Sequence, residues 1–163
     1  MAGWPRVVLL ATIATAACGL RTDSQTLTPE RAKATEESVR AFARTVAHDV
    51  TQEGPAAWRR FFADSPAFFM ASEGHLEFPN SISAAKGIQD LTKAIKKIEL
   101  RWGDDLRVDP LTPDLAVLAA TFHEVLLTAE GGRIEETGFF TGVTEHREGR
   151  WQFRNAHWSV PVP

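Results

Sequence analysis

The sequence predicts an α+β domain, with helices first and an antiparallel meander after them. Three observations predict it. Between Pro29 and Ile98, apolar residues recur at spacings of three and four, the period of an amphipathic helix. After that, aromatic and β-branched residues gather in four extended segments, at 99–109, 115–128, 133–146 and 150–160. Pro110, Pro113, Gly131-Gly132 and Gly149 separate these segments by connections so short that neighbours must run antiparallel. A chain of 163 residues suits one such domain with a real core.

The segment before the domain reads as an export signal. Arg6 gives a short positive start, and Val7 to Ala17 is uncharged, too short to span a bilayer but suited to a secretory leader. The single cysteine, Cys18, follows at once, so no intramolecular disulfide can form. Thr15-Ala16-Ala17-Cys18 resembles the lipobox of bacterial lipoproteins, apart from Thr15, where an aliphatic residue is usual. The reading is a signal peptide over 1–17, a lipidated Cys18 with a tether over 18–27, and a domain over 28–163. It places the protein in the bacterial cell envelope, anchored to a membrane. The competing reading is ordinary secretion, secreted or periplasmic, with cleavage near Ala14-Thr15-Ala16; a buried structural cysteine is the third. Gly19 rather than aspartate follows the cysteine, so nothing marks inner-membrane retention.

Thr28-Pro29-Glu30 starts the first helix: a hydroxyl to cap, proline at the first helical position, an acid at the positive dipole end. Val39, Phe42, Val46 and Val50 form its apolar stripe. Gly54-Pro55 ends it and opens a short second helix in which Trp58, Phe61 and Phe62 face one core. Residues 67–71 and 75–78 read as a strand pair turned at Ser72-Glu73-Gly74. A third helix is expected from about Ser83 to Ile98, with Ile88, Leu91, Ile95 and Ile98 as its stripe.

The last hairpin decides which residues face inward. A two-residue loop at Glu148-Gly149 sets Thr144 opposite Phe153 and Phe140 opposite His157. A three-residue loop sets Val143 opposite Phe153 and Phe139 opposite His157. The second register gathers Phe139, Thr141, Val143, Trp151, Phe153, Asn155, His157 and Ser159 on one face, apolar with a polar end, and is the expected one. Phe139, Thr141, Asn155, His157 and Ser159 are then the ligand-binding candidates. Trp158, Arg154 and Phe140 fall on the outer face, where an apolar patch would suit a homodimer.

His157 beside Ser159 can orient a ligand or move a proton; the competing reading is a histidine satisfied within the core. His123-Glu124 is the other acid–base candidate, but neighbours on a strand point to opposite faces. A three-residue loop around Glu130-Gly131-Gly132 puts His123 on the face of Phe139 and His157; a two-residue loop puts Glu124 there. Glu135-Glu136 reads as a solvated strand end. The four histidines of the domain's loops and strands, His75, His123, His146 and His157, lack ligand spacing for zinc, so no metal or cofactor is expected. A net charge of -3 and a pI near 6.0 give no basic footprint for nucleic acid.

The order of parts resembles the nuclear transport factor 2-like superfamily, and within it the SnoaL-like group. The residues that carry the likeness are Gly87-Ile88, Pro113-Asp114-Leu115-Ala116-Val117, Gly138-Phe139-Phe140-Thr141, Glu148-Gly149-Arg150-Trp151 and His157-Trp158-Ser159. The resemblance covers about Pro29 to Val160. It implies a cone: three helices packed in a curved antiparallel sheet, with a pocket at the wide end and homodimers through the outer sheet face. Function does not follow from such a fold. The chain has no tyrosine, so the tyrosine-dependent constellation of the superfamily's ketosteroid isomerases is absent, and no complete scytalone dehydratase set is found. Three readings follow. The first is a lipoprotein module binding a small, largely apolar ligand without catalysis. The second is a cofactor-independent isomerase, dehydratase or cyclase using His157 with Glu124 or His123. The third is a structural dimer.

Overall fold

A computed structural model describes residues 26–161, so Cys18, the leader and most of the tether lie outside the described residues. The first helix, α1, spans Pro29–Glu53. Thr28 caps it, its Oγ1 accepting from the Arg31 N–H at 3.3 Å, and Pro29 stands at the first position. Val39, Phe42, Val46 and Val50 are all buried, as the stripe predicts. A 3-10 turn over Pro55–Ala57 leads into α2, Trp58–Phe61, and Trp58, Phe61 and Phe62 all join the core.

Strands β1, Phe69–Ser72, and β2, His75–Phe78, form the expected hairpin. Helix α3 runs over Ser81–Ala94, earlier at both ends than its stripe suggested. Asn80 and Ser83 cap it reciprocally: Asn80 Oδ1 accepts from the Ser83 N–H at 2.9 Å, and Ser83 Oγ from the Asn80 N–H at 3.2 Å. Ile95 and Ile98 are not helical. They belong to β3, Ile95–Trp102, where a bulge at Lys96 turns both side chains into the core. A spacing of three on a bulged strand imitates a helical stripe.

The remaining strands are β4, Arg107–Thr112; β5, Leu115–Thr128; β6, Arg133–Arg147; and β7, Arg150–Ser159. The sheet order is β2-β1-β7-β6-β5-β3, and β5 is long enough to pair with β4 along its first half and β3 along its second. All pairings are antiparallel except β1 with β7. The result is the expected α+β cone: three helices against a curved sheet, which is mixed because of that one parallel pair.

The β6–β7 hairpin corrects the expected register. Its loop has two residues, with Arg147 opposite Arg150, and Glu148 and Gly149 both at positive φ (54° and 79°), the conformation of a type I′ turn. Thr144 lies opposite Phe153, then a bulge at Arg154 shifts the ladder so that Phe140 meets Trp158 and Thr141 meets His157. The Asn155 side chain stabilises the bulge by accepting from the Val143 N–H at 3.1 Å. Phe153, Ala156 and Trp158 therefore all face inward, opposite Thr144, Gly142 and Phe140. Phe140 is 0% exposed, with its ring 4.3 Å from that of Trp158 and 5.1 Å from that of Phe153.

Candidate functional site

A cavity of about 960 Å³ opens between α3, the β1–β2 hairpin and the inner face of the sheet. That volume lies in the upper part of the range that holds drug-sized ligands. Most of its lining is apolar. Trp58 and Phe62 come from the α2 region, Ile88 and Leu91 from the α3 stripe, Leu126 from β5 and Trp158 from β7. Trp58 and Trp158 meet edge to face at 5.3 Å, which fixes both rings. Phe78 lies against α3 because position 87 is glycine: a Cβ there would fall 2.2 Å from the Phe78 ring.

Five acids interrupt this lining, and two of them stand together in the sheet wall. Glu124 on β5 and Glu136 on β6 are directly opposite one another in the ladder, and both line the cavity. Directly opposed cross-strand residues have Cβ atoms about 4.5–5.5 Å apart, so two ionised carboxylates here repel. Across β3, the partner of Glu124 is Leu100, which offers no charge. Burial pushes the Glu124 carboxyl up from its ordinary 4.5 to about 7, with the charge of Glu136 adding to the effect. Near neutral pH, Glu124 is thus divided between a proton donor and a proton acceptor.

Solved structures share this architecture. A nuclear transport factor 2 (NTF2-like) superfamily protein from Salmonella enterica matches with a TM-score of 0.68 at 15% identity, over 80% of this chain and 94% of that one. A hexachlorocyclohexane dehydrochlorinase from Novosphingobium barchaimii matches with a TM-score of 0.60 at 12% identity, over 77% and 86%. A protein with a cystatin-like fold from Caulobacter vibrioides gives 0.60 at 16% identity, over 78% and 89%. The chain has the nuclear transport factor 2-like fold. No family model and no curated protein matches the sequence.

Within this NTF2-like cone, the residues expected at the site divide sharply. Glu124 lines the cavity. His157 does not: it is exposed and paired with Thr141 on the outer face. Phe139, Thr141, Asn155 and Ser159 share that outer side and are not among the lining residues, which corrects their expected place in the wall. Asn155 stabilises the Arg154 bulge, and the Ser159 Oγ–H donates to the Phe139 carbonyl at 3.2 Å. Val143 faces outward with them, while Phe153 is core and Trp151 packs on α1, its Nε1–H donating to Ser38 Oγ at 2.8 Å.

The β5–β6 hairpin has the three-residue loop, Ala129 to Gly131, closed by the Thr128 N–H donating to the Gly132 carbonyl at 2.9 Å. His123 therefore does share a face with Phe139 and His157, but that face is the outer one. There its Nε2 sits 2.8 Å from Glu135, which also pairs with Arg133. Glu135 and Glu136 separate accordingly: the first is solvated and paired, the second enters the cavity. The sequence reading missed Glu136 and misplaced Trp158. The β5–β6 register held the signal for Glu136, because the three-residue loop sets it opposite Glu124.

Proposed function

We propose that this chain binds a small, largely apolar molecule inside the cone without transforming it, as a cell-envelope protein tethered through a lipid on Cys18. The observation that carries the binding reading is the cavity itself: about 960 Å³, walled by Trp58, Phe62, Ile88, Leu91, Leu126 and Trp158, with an opposed carboxylate pair in its sheet wall. Such a cavity gains ligand affinity by removing apolar surface from water, and the carboxylates fix orientation. Native mass spectrometry of the purified full-length protein tests this reading. The expected result is a retained organic mass released on denaturation; a protein that carries none, and takes up none from an apolar extract, contradicts it. The same measurement reads the N-terminus, where a diacylglyceryl Cys18 is expected and an unmodified mature chain ends the lipoprotein reading.

A second reading has one observation in its favour. A carboxyl raised to about 7 is matched to proton transfer at neutral pH, so Glu124 can serve as the base of a cofactor-independent isomerase or eliminase. A fold neighbour bears the name of a dehydrochlorinase. Against it, no histidine, lysine or arginine lines the cavity among the described residues, and Ser72 supplies the one hydroxyl. A base without an electrophilic partner is a weaker catalyst than a binding anchor. Hydrogen–deuterium exchange at the α-carbon of a bound ketone, abolished in Glu124→Gln, would establish the second reading over the first.

A further inference from the structure

We propose that the molecule held in the cone is an organic cation: a protonated amine or quaternary ammonium on an apolar body. This inference rests on the binding reading above and names the class of ligand it takes. Its first support is the sign of the lining. Among the described residues, the ionisable side chains on the cavity are Glu73, Glu77, Asp90, Glu124 and Glu136, all acids. They come from the β1–β2 hairpin, α3, β5 and β6, so the field converges from several walls of the cavity rather than from one surface.

The second support is which of these acids the protein itself satisfies. Asp90 is paired with Lys93 at 2.7 Å, and Glu73 accepts from the Val160 N–H at 2.9 Å. Glu124 and Glu136, the pair set into the sheet wall, have no hydrogen bond or ion pair from any described residue. Two opposed carboxylates beside apolar walls are destabilised by burial and by each other, and a positive ligand group between them relieves both. The third support is the aromatic lining. Trp58, Phe62, Phe78 and Trp158 all line the cavity, where rings bury an apolar body and any free face attracts a cation; Phe62, stacked on Trp58 and Phe68, serves burial. A metal ion is the poorer fit, since no group of three or more His, Cys, Asp or Glu among the described residues is arranged to hold one. Fatty acids and phosphate esters would meet like charge at the Glu124–Glu136 pair.

The test uses probes that share one body and differ in charge: phenanthren-9-ylmethanamine, phenanthren-9-ylmethanol and phenanthrene-9-carboxylate. Each is titrated by its fluorescence against the full-length chain in nanodiscs, with empty nanodiscs as reference. The amine should bind about tenfold or more tightly than the alcohol, and the carboxylate most weakly. Amine affinity should rise between about pH 6 and pH 8 as Glu124 loses its proton, while alcohol affinity does not rise. The double variant Glu124→Gln/Glu136→Gln should remove most of the amine's advantage over the alcohol, leaving only what Glu73, Glu77 and Asp90 contribute; if it fails to fold, the charge order and pH trend of the natural chain still decide. Equal binding of all three probes, or preference for the alcohol or the carboxylate, overturns the cation inference and leaves the binding reading standing. Binding of none overturns the binding reading, and the inference with it.

Discussion

Glu124 and Glu136 oppose each other across the β5–β6 ladder, on the sheet wall of the cavity. Ordinary packing does not explain this pair: a sheet interior built for stability alone would place a β-branched or aromatic pair there. The cost it imposes has a pH signature. The Glu124 carboxyl is raised from 4.5 to about 7 in the fold, so between those values the folded chain binds more protons than the unfolded one. Stability must therefore fall as pH rises through that window. Glu124→Gln is expected to flatten the profile and to exceed the natural protein above pH 7 by on the order of 2–3 kcal/mol. Urea unfolding at several pH values measures this; parallel profiles for the two proteins would show that the carboxyl is not perturbed.

Trp158 and His157, adjacent on β7, should respond in opposite ways. Trp158 packs against Trp58 and Phe140 and faces the cavity, so Trp158→Ala should cost about 3–5 kcal/mol and weaken apolar ligand binding. His157 is exposed on the other face, and His157→Ala should stay within about 0.5 kcal/mol and leave binding unchanged. Thermal denaturation and a probe titration separate the two. A reversed order would mean that the Arg154 bulge is absent and the strand lies one residue out.

Gly87 sets the position of the Phe78 ring against α3. A Cβ at 87 would lie 2.2 Å from that ring, so Gly87→Ala must displace Phe78 despite the better helix propensity of alanine. The expected outcome is a loss of about 1–3 kcal/mol and altered ligand affinity. A more stable variant with unchanged binding would show that the ring moves aside freely.

The outer face of the sheet remains the proposed homodimer surface, though with different residues. Phe140 and Trp158 are turned inward, and Arg154 pairs with Glu145. Phe139, 44% exposed, is instead a large apolar residue presented there, with Thr141, Val143 and His157 beside it and Phe69 alongside Asn155. Sedimentation should give a dimer that Phe139→Asp dissociates. A monomer at tens of micromolar, or a dimer indifferent to that substitution, contradicts the assignment.

Much of this fold was legible because local chemistry and tertiary packing agree along α1: the Thr28 cap, Pro29 and the Val39–Val50 stripe all point to one helix. The α3–β3 boundary was not legible, since Ile95 and Ile98 sit three apart and only a bulge brings both inward on a strand. The same physics hid the site. On β6, Phe139-Thr141-Val143 and Phe140-Gly142-Thr144 are both acceptable apolar faces, so alternation cannot choose between them. The bulge at Arg154 then inverts the parity of β7, and no residue type announces it. Glu124 reached the cavity through two offsetting departures: the three-residue β5–β6 loop sets His123, not Glu124, on the face of Phe139 and His157, and that face is the outer one.

The most direct test of the central claim is to fill the cavity from its wall. Leu126 on β5 lines the site without contributing charge, and a tryptophan there occupies ligand volume while suiting a strand. N-phenyl-1-naphthylamine, a neutral apolar fluorophore, should bind the natural protein at one site per chain. Leu126→Trp should weaken that binding by about tenfold or more with the circular dichroism spectrum unchanged. Equal binding to both proteins, or none to the natural one, would contradict the account.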